Sequence, residues 1–271
     1  MTAWNRKGVG GPPRKLSRCW CSLLLLTVLG GCARPASLET KGRLQQIQAN
    51  FDRSQTADDF LRVAAEYQEV LDGGWRSAAV LFNQGNAFMR AQQRGRAVAC
   101  YRQAIRDWPQ NPYVKANLRA AGQGVRLLRD PWWRNLLFWQ SWLGYRAKFQ
   151  AMFAFACVAC ASGCAALCAT RDSRRQGCRR MAAAALGICF VAALTAAGDW
   201  YCYEALRHGA VVVPETLLRK GNGEDYEVAW QTPLRDGDEF TVLESRGDWL
   251  LVSVGGGEQE GWIRQAETVQ Y

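Results

Sequence analysis

The chain has 271 residues, with 34 Lys and Arg against 24 Asp and Glu, for a formal net charge of +10. That basicity is not a nucleic-acid footprint, which needs a basic face within one folded domain: residues 209–271 alone carry 5 basic and 12 acidic groups. A single His, with no nucleophile–base constellation, metal-ligand cluster or phosphate loop, argues against an enzyme, and no cofactor is expected.

Residues 1–31 read as an export signal. Arg6, Lys7, Arg14, Lys15 and Arg18 form a positive start, Trp20–Leu29 is an apolar stretch too short to span a bilayer, and small residues follow. The end, Leu29-Gly30-Gly31-Cys32, resembles the bacterial lipobox. In that family the cysteine becomes the first mature residue and carries lipid, which makes Cys32 a candidate lipidation site. An uncleaved anchor or a chance cysteine is the other reading.

Residues 33–57 are polar with weak periodicity, a tether or a frayed first helix. From Asp58 the helical period is clear, with Phe60, Val63, Ala64, Tyr67, Val70 and Leu71 recurring on one face until Asp72-Gly73-Gly74. Two further helices, Ala78–Ala91 and Arg94–Asp107, are joined by a short Gln-Gln turn, and Pro109 closes the unit. This spacing resembles a tetratricopeptide repeat of 34 residues beginning at Ala78. Gly85, Ala97 and Ala104 fill its small sites, Phe88 and Tyr101 its aromatic sites, Pro109 the terminating site and Leu81 a large one. Gln84 departs, because that site is usually Leu. Asp58–Leu71 resembles the second helix of a preceding repeat and Asn111–Gly122 the first helix of a following one, so 58–124 reads as a short helical solenoid. Fewer than three repeats seldom stand alone, so the array is expected to lean on the membrane surface or a partner.

The resemblance implies a groove that binds extended peptides or helices. Its lining would include Phe82, Asn83, Asn86, Met89 and Arg90, then Lys115 and Arg119. Asn83 and Asn117 occupy the same repeat position, suited to holding a ligand's backbone amides; helix capping or plain solvation is the other account. Residues 125–148 form a Trp-rich linker in which Trp132, Leu136, Trp139 and Leu143 share a face. They lie on the membrane interface or pack against the repeats.

Phe149–Ala169, 21 residues, and Met181–Gly198, 18 residues, carry no charge and read as a membrane hairpin, with spans 149–169 and 181–201. The loop 170–180 holds Arg171, Arg174, Arg175, Arg179 and Arg180 against Asp172, which places it in the cytoplasm. The export signal agrees. Both flanking soluble parts then face the extracytoplasmic side of an inner membrane. Of eleven cysteines, Cys157, Cys160, Cys164, Cys168 and Cys189 fall in the spans. Cys157 and Cys168 would stand about 16 Å apart on a helix, too far to share a cluster, so small-residue packing between helices is the better account.

After Gly209 the period turns to alternation. Ala210–Val213, Glu227–Trp230, Glu239–Leu243, Trp249–Val252 and Gly261–Ile263 are short strand candidates separated by glycine turns. They suit a small barrel over 209–271. Leu218-Arg219-Lys220-Gly221, Leu234-Arg235-Asp236-Gly237, Gly247-Asp248-Trp249 and Gly261-Trp262-Ile263 resemble, in order, the motifs of bacterial SH3 domains. Some relatives bind peptides or cell-wall stem peptides, which makes Trp249 and Trp262 ligand candidates; core or rim packing is the alternative for each.

The order of signal, tetratricopeptide repeat, hairpin and SH3-like domain is similar to the BatE proteins of bacterial aerotolerance operons, over about residues 58–269. That resemblance implies a multidomain membrane protein with a helical solenoid, a transmembrane hairpin and a small β-barrel. It also implies work beside von Willebrand A-domain membrane proteins and a MoxR-type AAA+ ATPase. The expected function is a non-enzymatic, membrane-anchored scaffold in an envelope complex, with membrane lipid as a further partner. The runner-up is an envelope lipoprotein that binds peptidoglycan through its SH3-like domain.

Overall fold

The computed structural model describes residues 38–128 and 142–271. The expected export signal, Cys32, and the interfacial Trp132, Leu136 and Trp139 lie outside the described residues. The chain divides into two compact units. One holds, among the described residues, Gln150–Phe190; the other holds the remainder.

The first unit carries most of two long helices, Tyr145–Cys168 (α6) and Asp172–Trp200 (α7). Both are long and apolar enough to cross a membrane. Only 17% of each apolar window is buried, and Phe153, Leu167, Leu186, Ile188 and Phe190 point outward, the reverse of a soluble core helix. The buried residues here are small: Ala159, Ser162, Ala166 and Ala185. The Arg-rich segment expected as a loop over 170–180 is mostly helix. Because no proline interrupts it and Asp172 complements the positive end of the helix dipole, α7 starts at Asp172 and carries Arg174, Arg175, Arg179 and Arg180 on its first turns.

The second unit begins with five helices: Leu38–Arg53 (α1), Ala57–Asp72 (α2), Ala78–Arg90 (α3), Arg94–Asp107 (α4) and Pro112–Ala121 (α5). The expected tether is thus largely α1. Its sequence is polar overall, but Leu44, Ile47 and Phe51 form one stripe that packs on α2, with the Phe51 and Phe60 rings edge to face at 5.3 Å. Caps fix three helix starts. Thr56 and Asp59 form a reciprocal capping box, Ser77 accepts from Val80 N–H, and Asn111 caps α5 with Pro112 in its first turn.

Burial repeats along these helices. Ile47 and Leu81, Val63 and Ala97, Tyr67 and Tyr101, Val70 and Ala104, Val80 and Val114, and Ala87 and Ala121 are all buried pairs spaced by 34 residues. Gly85 is buried where α3 crosses α4, and a Cβ there would lie 2.6 Å from the Tyr101 ring. Gln84, the departure from a leucine site, is buried without being wasted. Its Nε2 donates to Ala64 O at 3.1 Å and Gln68 Oε1 at 2.9 Å.

Beyond α7, a π-helical turn at Tyr201–Ala205 leads into the sheet. Its strands are Arg207–Val211 (β1), Glu215–Thr216 (β2), Leu234–Arg235 (β3), Glu239–Arg246 (β4), Trp249–Val254 (β5), Gln259–Arg264 (β6) and Thr268–Gln270 (β7). Five of them pair antiparallel in the order β6-β5-β4-β1-β7, while β2 and β3 form a separate ribbon. The expected barrel is not closed, since β6 and β7 are opposite edges of the sheet. Of the expected strands, Glu227–Trp230 forms only a bridge from Val228 to Arg219. Val211, Leu218, Leu234, Phe240, Leu250, Val252, Val254 and Ile263 make the core of this part.

The helices and the sheet form one body. Ala210 of β1 is buried in the helical core, with Val269 and Tyr271 packed beside it. Gly95, in the first turn of α4, has no room for a side chain. A Cβ there would fall 1.9 Å from Val211 O. Gly95→Ala should therefore lower unfolding stability by roughly 1–3 kcal/mol through overpacking. Gly42→Ala in α1, where a Cβ meets nothing within 4 Å, should raise it by roughly 0.5–1 kcal/mol. Thermal and denaturant unfolding of the two variants in detergent checks this; equal effects would mean that α4 and β1 do not abut.

Candidate functional site

Two surfaces compete, and a buried polar network lies between the helices and the sheet. On the helical side, α3 and α5 bring several of the expected groove residues together. Asn86 Oδ1 accepts from Tyr101 Oη at 2.9 Å and from Asn117 Nδ2 at 2.8 Å, which ties α3 to α4 and α5. Asn83 hydrogen-bonds Tyr67, repeating the Asn117–Tyr101 relation one repeat earlier. Burial raises both phenols, so these hydroxyls stay protonated.

Phe82 is half-buried, its ring 6.0 Å from Tyr101, and Met89 is packed against the same core. Arg90 is exposed and lies over the Phe60 ring of α2 at 5.6 Å. On α5, Lys115 Nζ reaches Gln110 Oε1 at 3.3 Å and Arg119 Nε donates to Lys115 O at 3.2 Å. Phe82, Asn83, Asn86 and Met89 are thus tied into the fold. Arg119 and Lys115 present cationic groups with weak local contacts.

The second surface is a cleft of about 430 Å³ in the sheet part, lined in part by Leu217, Arg219, Glu224, Pro233, Trp249 and Arg264. That volume lies within the range of small-ligand pockets. The two tryptophan candidates separate here. Trp249 lines the cleft, with the Arg264 guanidinium over its ring at 5.6 Å. Arg264 is also paired with Glu224. Trp262 is only 7% exposed, its backbone pairs with Arg219, and Arg246 covers its ring at 5.4 Å.

The network between helices and sheet was not visible in the sequence. Gln93, before α4, supplies no side-chain cap; Asp236, from the turn after β3, supplies it instead. Its two carboxylate oxygens accept from Arg94 N–H and Gly95 N–H, each at 2.8 Å. Further along α4, Arg102 Nε and Nη2 grip both oxygens of Glu239 at 2.7 Å. Leu128 N–H donates to Glu239 at 2.7 Å, and the Tyr271 hydroxyl also donates to it. Glu239 is 1% exposed. Burial pushes the Tyr271 hydroxyl well above its ordinary range, and the Glu239 charge adds to this, so it remains a donor. Apart from Tyr271 and Glu239, the partners are more than a hundred residues apart in sequence, and Asp236-Gly237 signals only a turn when read locally.

Comparisons with family models, curated proteins and solved structures find no match for this chain.

His208, in β1, sits beside this network. Its Nδ1 lies 3.2 Å from Thr241 Oγ1, and its backbone oxygen accepts from Tyr271 N–H. Burial lowers its pKa below the ordinary 6.5, reinforced by Arg102 and Arg106 and opposed by Cys202 and Glu239. The fold thus holds the neutral ring, and the unfolded chain takes up the proton first. This contribution is full above pH 6.5 and is lost as pH falls from there toward the lower folded value. Unfolding midpoints should therefore fall on acidification through that window, and His208→Gln should flatten the slope. An unchanged slope would mean that His208 does not titrate differently on unfolding.

Proposed function

We propose that the chain is a non-enzymatic, membrane-anchored scaffold that mediates protein–protein contacts in a bacterial envelope complex. The observation that carries this reading is the single body made by the two soluble parts. They flank two helices able to cross a membrane, yet Arg102 and Glu239 pair between them in a buried site. Such a pair requires both parts in one compartment, as a hairpin would leave them. The repeated burial at 34 residues supports a tetratricopeptide-type array of two and a half repeats, α1 to α5. The order of motifs in the sheet supports an SH3-like module. With the Arg-rich start of α7 in the cytoplasm, both lie outside the inner membrane. By resemblance to BatE proteins, the partners would be von Willebrand A-domain membrane proteins and a MoxR-type ATPase.

The Trp249 cleft favours one other reading, an envelope protein that holds peptidoglycan through its sheet domain. Crosslinking in native membranes separates the two. Lys115→Ala and Arg119→Ala should leave helicity and melting unchanged and reduce capture of an envelope protein several-fold. Capture equal to wild type would overturn the array as the contact surface. Retention of the detergent-solubilised full chain on purified sacculi, lost in Trp249→Ala but not in the α5 variants, would favour the second reading.

Topology has its own test, in a background without the native cysteines. Ser173→Cys, on the first turn of α7, should resist a membrane-impermeant thiol reagent in intact spheroplasts. Glu258→Cys, exposed in the turn between β5 and β6, should react. Reaction at 173 alone would invert the orientation.

A further inference from the structure

Residues 209–271 carry 12 acidic groups against 5 basic ones, and the Trp249 cleft lies wholly within this acidic part. The charged lining of the cleft is three carboxylates, Glu215, Glu224 and Glu267, against two guanidiniums, Arg219 and Arg264. The fold engages both guanidiniums. Arg219 Nη1 donates to Glu224 O at 2.7 Å and to Tyr226 O at 2.9 Å, which holds that loop against the sheet. Arg264 stands directly across from Trp249 in the β5–β6 register, lies over its ring and pairs with Glu224.

The other two carboxylates are less occupied. Glu267 is fixed by its backbone oxygen, which accepts from Val212 N–H at 2.9 Å, and its Oε2 accepts from Thr216 Oγ1 at 2.7 Å. Among the described residues no cation pairs with it. Glu215 meets Arg235 Nε only at 3.6 Å, with both side chains 61% exposed, a pair that water screens. Leu217, 39% exposed, and Pro233 add apolar surface to the cleft beside Trp249. Carboxylates with capacity to spare and an apolar wall in one cleft fit a cation carried on an alkyl stem. A planar guanidinium would compete with Arg264 for the tryptophan face. A compact ammonium needs only the carboxylates at its tip and the wall along its stem.

We propose that the Trp249 cleft binds a lysine side chain of an extended protein segment, its ammonium held by Glu267 and Glu215 and its stem lying along Trp249, Leu217 and Pro233. The excess of acidic groups around the cleft draws such a cation in. The ligand's chemistry is read from the cleft itself; that a protein segment supplies it rests on the scaffold reading.

The probe is Nα-acetyl-lysine methylamide, titrated against the detergent-solubilised full chain labelled with 5-fluorotryptophan. The Trp249 fluorine signal is the one missing in Trp249→Phe. That signal should shift with the probe, binding should weaken as salt is raised, and Glu267→Gln should weaken it several-fold. Glutamine keeps an acceptor for Thr216 and removes only the charge, and unchanged signals from the other tryptophans would show the fold intact. No shift at Trp249, or an equal shift with the Nε-acetylated probe, which keeps the stem and loses the charge, would overturn the inference. A larger shift with Nα-acetyl-glutamate methylamide would assign the cleft to an anion at Arg219 and Arg264, and also overturns it. Release of the chain from purified sacculi by the lysine probe would place a wall amine in the cleft and overturn the protein assignment. None of these readouts involves α5, so the scaffold reading stands or falls separately, on the capture measured for Lys115→Ala and Arg119→Ala.

Discussion

Glu239 is the group on which the soluble body depends. A carboxylate that is 1% exposed is costly to bury, and it is tolerated because every direction around it is filled by a donor. Arg102 grips it with two nitrogens, Leu128 supplies a backbone N–H, and Tyr271 supplies a hydroxyl. These groups come from α4, from the segment leading toward the hairpin, and from the end of the sheet. Removing any one leaves the charge underpaired, which is why such a site holds three remote segments in register rather than merely adding stability. Asp236 works in the same sense at the other end of the contact. It satisfies two amide donors that the start of α4 would otherwise leave open, and it places negative charge at the positive end of that helix.

This arrangement resolves the difficulty of a short helical array. Five short helices alone bury only a small core. Here Ala210, Val269 and Tyr271 of the sheet lie against the helical core and extend it. These residues follow both long helices in sequence, so no local property of residues 58–124 reveals what completes their core.

What the sequence made legible follows from the range of each interaction. Periodicity, caps and glycine turns act within a few residues, and they located α2 to α5, the two long helices and four of the strands. Gly85 was readable because the crossing of adjacent helices is a local matter. α1 was obscured because only Leu44, Ile47 and Phe51 of its residues serve the core, and they are diluted by polar neighbours. The start of α7 is obscured because a charged segment between two apolar runs reads as a loop, whereas arginine is a good helix former. Trp249 and Trp262 share a similar sequence context, a tryptophan after Asp or Gly and before an aliphatic residue. Only their surroundings in three dimensions tell them apart: Trp249 lines the cleft, whereas Trp262 is 7% exposed.

The ends of the two long helices carry contacts of their own. Lys148, near the start of α6, and Asp199, near the end of α7, are each 3% exposed and paired, so the open end of the hairpin is closed by a buried ion pair. Within a few residues, Arg106 engages Tyr203 and Glu204, and Asp107 engages Arg146. α4 therefore has the hairpin at its last turn, Glu239 at its middle and Asp236 at its first. The residues at the ends of the two long helices are thus linked to the sheet by side-chain contacts through α4 and not by the chain alone.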